Sequence, residues 1–151
     1  MKKITLILLT LIFAFPIFSQ DFSFNGIPFG SKQGSFREEK KIKIAELKFS
    51  DIEYKYENGI LVEVSAELDG GQNSMKRLSD FISILQEKYC MKKDIYMQNG
   101  GDIINLYDNN LNTITIIISS VDNEDCEAKL NEAKILFSSK FYSVNKDFYK
   151  F

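Results

Sequence analysis

The chain of 151 residues contains no histidine, two cysteines, two prolines and only two arginines, Arg37 and Arg77, beside 17 lysines. Each shortage removes a class of chemistry. Without histidine there is no Ser-His or Cys-His nucleophilic pair, no His-containing zinc site and no imidazole base for neutral pH. An all-cysteine zinc site needs four thiolates, and only Cys90 and Cys126 are present. With so few guanidinium groups, bidentate forks for phosphate or carboxylate are scarce. The formal charge is −2 and the lysines are dispersed, so nothing marks a nucleic-acid surface or a polybasic patch for anionic membranes. No cofactor is expected.

Long apolar runs are equally scarce, and the single one lies at the start. Lys2 and Lys3 precede an uncharged stretch from Ile4 to Phe15, interrupted only by Thr5 and Thr10 and followed by Pro16 and the small Ser19. Positive, apolar and small-residue regions in that order predict a secretory signal peptide over residues 1–19, with cleavage before Gln20 or Asp21. The run is shorter than the ~20 apolar residues of a spanning helix. With no Cys at the cleavage point, a bacterial lipoprotein is not expected, and no later segment is long enough to span a bilayer. The expectation is a periplasmic or secreted protein without membrane attachment after processing. Residues 20–151 would form a single exported domain, large enough to fold without a metal. Removing Lys2 and Lys3 takes its formal charge from −2 to −4.

Within that domain the hydrophobic pattern predicts α+β architecture. Phe22 and Phe24 suggest a short opening strand before the turns at Gly26, Pro28 and Gly30. Ser31 to Lys41 is polar and reads as a loop or a short frayed helix. Ile52, Tyr54 and Tyr56, then Ile60, Val62, Val64, Ala66 and Leu68, alternate around Asn58-Gly59 as a β-hairpin. A two-residue turn puts the two apolar sets on opposite faces. A three-residue loop, Glu57-Asn58-Gly59, pairs Tyr56 with Ile60 and Tyr54 with Val62, and is the expected register. Leu78, Phe81, Ile82, Leu85 and Tyr89 recur at helical spacing, capped by Asn73 or Ser74. A second hairpin follows, Ile103–Tyr107 and Thr113–Ser119, with its turn in Asp108-Asn109-Asn110 and a β-branched run suited to a central strand. A second helix is expected from Asp122, with Cys126, Leu130, Ala133, Phe137 and Phe141 as its apolar stripe. The expected order is β-ββ-α-ββ-α, a two-layer antiparallel sheet with helices on one face. The hairpin-helix unit would occur twice, about 50 residues apart.

The segment Phe24-Asn25-Gly26-Ile27-Pro28-Phe29-Gly30-Ser31 resembles the opening Phe-x-Gly-Ile-Pro-(Trp/Phe)-Gly-(Ser/Thr) of small, largely uncharacterised exported bacterial proteins. In those proteins a helix follows directly, whereas here Lys32-Gln33-Gly34-Ser35 follows. The resemblance implies export and a compact α+β domain, and brings no catalytic residue with it.

Two cysteines in an exported chain can form a disulfide. Cys90 would end the first helix and Cys126 begin the second, and a bridge would stabilise by ~3–4 kcal/mol in the chain-entropy model. Equally, each can be a small buried core residue. Carboxylates are the remaining candidates for catalysis. The expected register sets Glu53 opposite Glu63, with Glu67 beyond, an acid and base for glycoside hydrolysis or simply a solvated sheet face. Asp108-Asn109-Asn110 and Asp122-Asn123-Glu124-Asp125 lack the ligand spacing of a calcium loop and read as a hairpin turn and a helix cap. Ser143-Val144-Asn145-Lys146 lacks the motifs that accompany S-x-x-K catalysis. Gly70-Gly71 and Gly100-Gly101 read as turns. The aromatic end, with Phe148, Tyr149 and Phe151, suits either an interaction anchor or a tail folded against the sheet.

These features point to an exported, non-enzymatic module binding a protein or envelope component, of inhibitor, immunity or assembly-accessory type. The alternative is a small carbohydrate-active hydrolase using Glu53 and Glu63.

Overall fold

The structure, a computed structural model, describes residues 21–68, 75–98, 101–124 and 127–140. The signal region and the aromatic C-terminal residues lie outside that set. The described chain is mostly β. A two-stranded hairpin, β1 (Ser23–Phe24) and β2 (Ile27–Pro28), precedes β3 (Ile42–Ile44), β4 (Leu47–Glu57) and β5 (Ile60–Leu68). Helix α1 (Met75–Tyr89) follows, then β6 (Lys92–Gln98), β7 (Gly101–Tyr107), β8 (Asn112–Glu124) and β9 (Glu127–Ser139). Strands β3 to β9 form one antiparallel sheet in the order β3-β4-β5-β9-β8-β7-β6. It is two meanders, β3-β4-β5 and β6-β7-β8-β9, joined where the last strand returns to pair with β5.

One face of this sheet carries the core. Leu61, Val64, Ala66 and Leu68 of β5, Ala133, Ile135 and Phe137 of β9, Ile114, Ile116 and Ile118 of β8, and Ile104 and Leu106 of β7 all belong to it. Helix α1 rests on β4 and β9 and buries Leu78, Phe81, Ile82 and Leu85, the residues its sequence periodicity selects. The ring centroids of Phe49 and Phe81 are 5.8 Å apart across that contact. Each such side chain, fully buried, contributes about 1.5–3 kcal/mol. The helix stops where Cys90 takes a left-handed φ of 52°. The Met91 and Cys90 N–H groups donate back to the Gln86 and Glu87 carbonyls, at 3.0 and 3.5 Å. This Schellman arrangement satisfies carbonyls that have no partner within the helix.

The two-layer α+β arrangement with two helices is not observed, and the described residues contain no repeated hairpin-helix unit. Residues Asp122 to Glu124 continue β8, and Glu127 to Ser139 are strand β9, in the interior of the sheet between β5 and β8. The helical appearance has a specific cause. Asn131 is an extra residue between Leu130, opposite Val121, and Glu132, opposite Ser120. This irregularity stretches one step of the buried set, Leu130, Ala133, Ile135, Phe137, to three residues, so that Leu130, Ala133 and Phe137 fall at helical spacing. Glu127-Ala128-Lys129-Leu130 also has high helix propensity, which pairing with Val121 to Glu124 of β8 overrides.

The first hairpin differs in register. Glu57 pairs with Ile60 and Tyr56 with Leu61, so the turn is the two-residue Asn58-Gly59, both at positive φ (51° and 76°). This is the type I′ geometry that matches strand twist. The conflict between apolar faces is resolved by bulges. Val62 is extra opposite the Lys55–Tyr56 step. Asp51, at φ 47°, lies in an irregularity between Ser50 and Glu53. Ile60 and Val62 are buried outside the main core cluster, whereas Leu61 and Val64 lie within it.

Candidate functional site

The opening motif is accounted for by folding. Asn25 and Gly26, at φ 47° and 77°, make the turn between β1 and β2. Phe22, Phe24, Ile27 and Phe29 on either side are buried. The Phe22 ring stacks on Phe29 at 4.7 Å and meets Tyr89 edge-on at 5.2 Å, and Phe24 meets Phe137 at 5.0 Å. The Ser31 hydroxyl donates to the Pro28 carbonyl at 2.5 Å. Gly30 N–H donates to the Leu61 carbonyl and Leu61 N–H to that of Ser31, both at 2.9 Å. These bonds lock the segment onto β5.

The paired carboxylates are not brought face to face. Glu53 pairs with Ser65, and Glu63 pairs with Lys55, whose ammonium is 3.8 Å from its carboxylate. Glu67 sits between Ser50 and Lys134 on the same open face. There Ser50, Glu67, Ile117, Ser119, Asn131 and Lys134 line a shallow groove of about 310 Å³.

Asp108 has a structural occupation. Its carboxylate accepts from the Asn110 and Asn112 N–H groups at 2.7 and 2.9 Å and from the Asn112 side-chain amide at 2.7 Å. The Ser139 hydroxyl, buried, donates to Asn112 Oδ1 at 2.7 Å. This chain ties the β7–β8 turn to the end of β9 and leaves the carboxylate no need of a cation. Among the described residues, no group of three or more Cys, Asp or Glu side chains is arranged to hold a metal ion. Nor is any described helix long and apolar enough to cross a membrane. Gly101 is a place of close approach, because a Cβ there would meet the Ile118 carbonyl oxygen at 2.7 Å.

Cys90 is exposed at the helix end. Cys126 lies outside the described residues, and its neighbours Glu124 and Glu127 belong to paired strands and not to a helix. Phe148, Tyr149 and Phe151, the S-x-x-K segment, Gly70-Gly71 and Gly100 also lie outside the described residues.

What sequence reasoning missed is strand β6. It is the last strand of the sheet, paired among the described residues only with β7, and all seven of its residues are exposed. Ile95 is 60% exposed and Met97 76%. Asp94 and Tyr96 lean away from the free edge. The Tyr96 hydroxyl accepts from the Asn105 amide at 3.0 Å, and Thr115 donates to Asn105 Oδ1 at 2.8 Å. The Asp94 charge and its hydrogen bond hold the Tyr107 phenol above its ordinary pKa. Among the described residues, none is paired with the outer backbone of β6. In an antiparallel strand every second residue turns both its N–H and its C=O to one side, so about half of β6 offers them to solvent. The only sequence signal was the β-prone triplet Ile95-Tyr96-Met97 after charged Lys92-Lys93-Asp94, which shows no alternation because neither face is buried.

Compared with protein-family models, with curated proteins and with solved structures, the chain has no significant match.

Proposed function

We propose that the chain is an exported, non-enzymatic module that binds a protein or envelope component in the periplasm or outside the cell, through the free edge of β6. An inhibitor, an immunity factor or an assembly accessory would work this way. The observation that carries the proposal is an edge strand of seven exposed residues that includes the apolar Ile95 and Met97. A partner strand added there gains main-chain hydrogen bonds for affinity and side-chain contacts for selectivity. The signal-like residues 1–19 support export, as does the likeness of residues 24–31 to the opening of small exported bacterial proteins.

Glycoside hydrolysis gains little support from the geometry. It requires two carboxyl groups about 5–10 Å apart across the scissile bond, one of them holding a proton. Glu63 is beside a lysine and Glu53 beside a serine, on a sheet face.

Affinity capture from envelope extract, compared across variants, tests the proposal. A specific partner should be retained by wild type and by Lys43→Glu on the opposite edge, and lost with Ile95→Lys. Capture indifferent to Ile95→Lys would defeat the proposal, as would glycan hydrolysis abolished by Glu53→Gln.

A further inference from the structure

Resting on that reading of the β6 edge, we infer that its partner is a second copy of this chain, the two β6 strands pairing antiparallel about a two-fold axis at Ile95. The first argument is a row of side chains. Across the helix-bearing face, Ile135 of β9 pairs with Ile116 of β8, Ile116 with Ile104 of β7, and Ile104 with Ile95 of β6. Directly paired residues share a face and touch. Their exposures run 0%, 0%, 8% and 60%, so the core row continues to the edge of the sheet and is cut open there. A two-fold axis at Ile95 places Ile95 of the second copy next in that row, followed by its own Ile104 and Ile116. The row then has no exposed end.

Charge and strand length together select the same register. Centring on Ile95 sets Lys92 opposite Gln98, Lys93 opposite Met97 and Asp94 opposite Tyr96, using all seven residues of β6. Moving the axis to Asp94 opposes two carboxylates, and moving it to Lys93 opposes two ammonium groups; like charges directly opposite are destabilising. With the axis at Ile95, the charged half of each strand meets the uncharged half of the other. Met97 pairs with Asp102 of β7 on its inner side. Lys93 of the second copy therefore enters the row that holds Asp102, its stem over Met97 and its ammonium toward the carboxylate.

The register also keeps the faces consistent, since it pairs residues of the same parity. The two seven-stranded sheets join into one, with both helices on the same side. The opposite edge cannot do this. There β3 is only three residues long, and the chain covers the neighbouring stretch of β4 itself. Lys40 accepts the Ile52 N–H at its carbonyl (3.4 Å) and donates from its ammonium to the Ile52 carbonyl (3.1 Å). The pairing is therefore closed, a dimer and not a fibre.

Sedimentation of protein purified in its exported form, in reductant and over a wide concentration range, tests the inference. Wild type should pass from monomer to dimer as concentration rises. Ile95→Lys should weaken self-association at least tenfold, and so should Ile95→Glu, because each sets like charges across the axis. Mixing Ile95→Lys with Ile95→Glu chains should restore dimers, seen in native mass spectra as one chain of each kind. A wild type that stays monomeric, a dimer indifferent to both substitutions, or a failure of the mixed pair would each overturn it. A monomeric wild type whose envelope partner is still lost with Ile95→Lys would remove the second copy while leaving strand addition in place.

Discussion

The two edges of the sheet are built from similar material and treated in opposite ways. At the β3 edge a three-residue strand is followed by a tight turn at Ala45-Glu46, both at positive φ, with Glu46 held 2.8 Å from Lys43. Beyond β3, residues Glu38 to Lys40 are tied to β4. The Tyr56 hydroxyl donates to the Glu38 carboxylate at 2.6 Å, the Tyr54 hydroxyl donates to the Glu39 carbonyl at 3.3 Å, and Lys40 brackets Ile52. Short strands, charge and a covering segment are the usual means of protecting an edge from unwanted pairing. The β6 edge has only Lys92, Lys93 and Asp94 in one half, and no described segment is paired over Ile95 to Gln98. A fold that closes one edge and leaves the other open has an addressable side. The difference arises because Glu38 to Lys40 run along β4, whereas no described segment is paired along the outer side of β6.

The largest expected effect breaks the closed half. Phe49 is buried under Phe81, so Phe49→Ala should cost about 3–5 kcal/mol in denaturant unfolding by combining lost transfer energy with a cavity. A cost below ~1 kcal/mol would mean that the β4 side is not the stable half.

Tyr56→Phe should cost about 0.5–1.5 kcal/mol through the lost hydrogen bond to Glu38, and should speed amide exchange around Glu38 to Lys40. The same contact carries a pH signature. Burial, then the Glu38 hydrogen bond and charge, push the Tyr56 phenol from 10.0 up to about 12. Because the folded pKa is raised, this stabilisation is complete below pH 10 and is lost as pH climbs toward 12. Burial likewise raises Tyr54. Alkaline unfolding of wild type should therefore show a component in that window which Tyr56→Phe reduces; an unchanged profile would sever the phenol from edge closure.

The smallest effect sharpens the contrast. Met97→Ala, measured on dilute monomer, should change stability by no more than about 0.5 kcal/mol, as expected of an exposed side chain. Outward-facing β6 amides should exchange fastest among the strands when dilute and slow as concentration rises. A large Met97→Ala cost in the monomer would show that the chain already covers this edge.

Much of the fold was legible where local pattern and burial coincide. Helix α1 was, because Leu78, Phe81, Ile82 and Leu85 meet one surface at one period. So was the β7–β8 hairpin, whose Ile114 and Ile116 are buried and whose Asp108 turn is closed by its own carboxylate. Legibility failed where an irregularity shifted the period. Asn131 gave β9 the spacing of a helix, and Val62 and Asp51 moved the register of the first hairpin. The proposed binding edge was invisible for a different reason: β6 has no buried face, and burial is what prints a strand's period on its sequence.

By itself the sequence determined the chemistry available to this protein. The lack of histidine, the scarcity of cysteine and arginine and the signal-like start are properties of composition and order, which no packing can alter. It also determined the local elements whose turn and cap residues act within a few positions of themselves, such as the Asp108 turn and the periodic face of α1. Tertiary structure alone decided that Glu127 to Ser139 is a strand, that Glu63 meets Lys55 and not Glu53, and which edge stays open. These outcomes depend on which strand lies beside which. A residue preference of a few tenths of a kcal/mol yields to a full ladder of hydrogen bonds and a shared buried face.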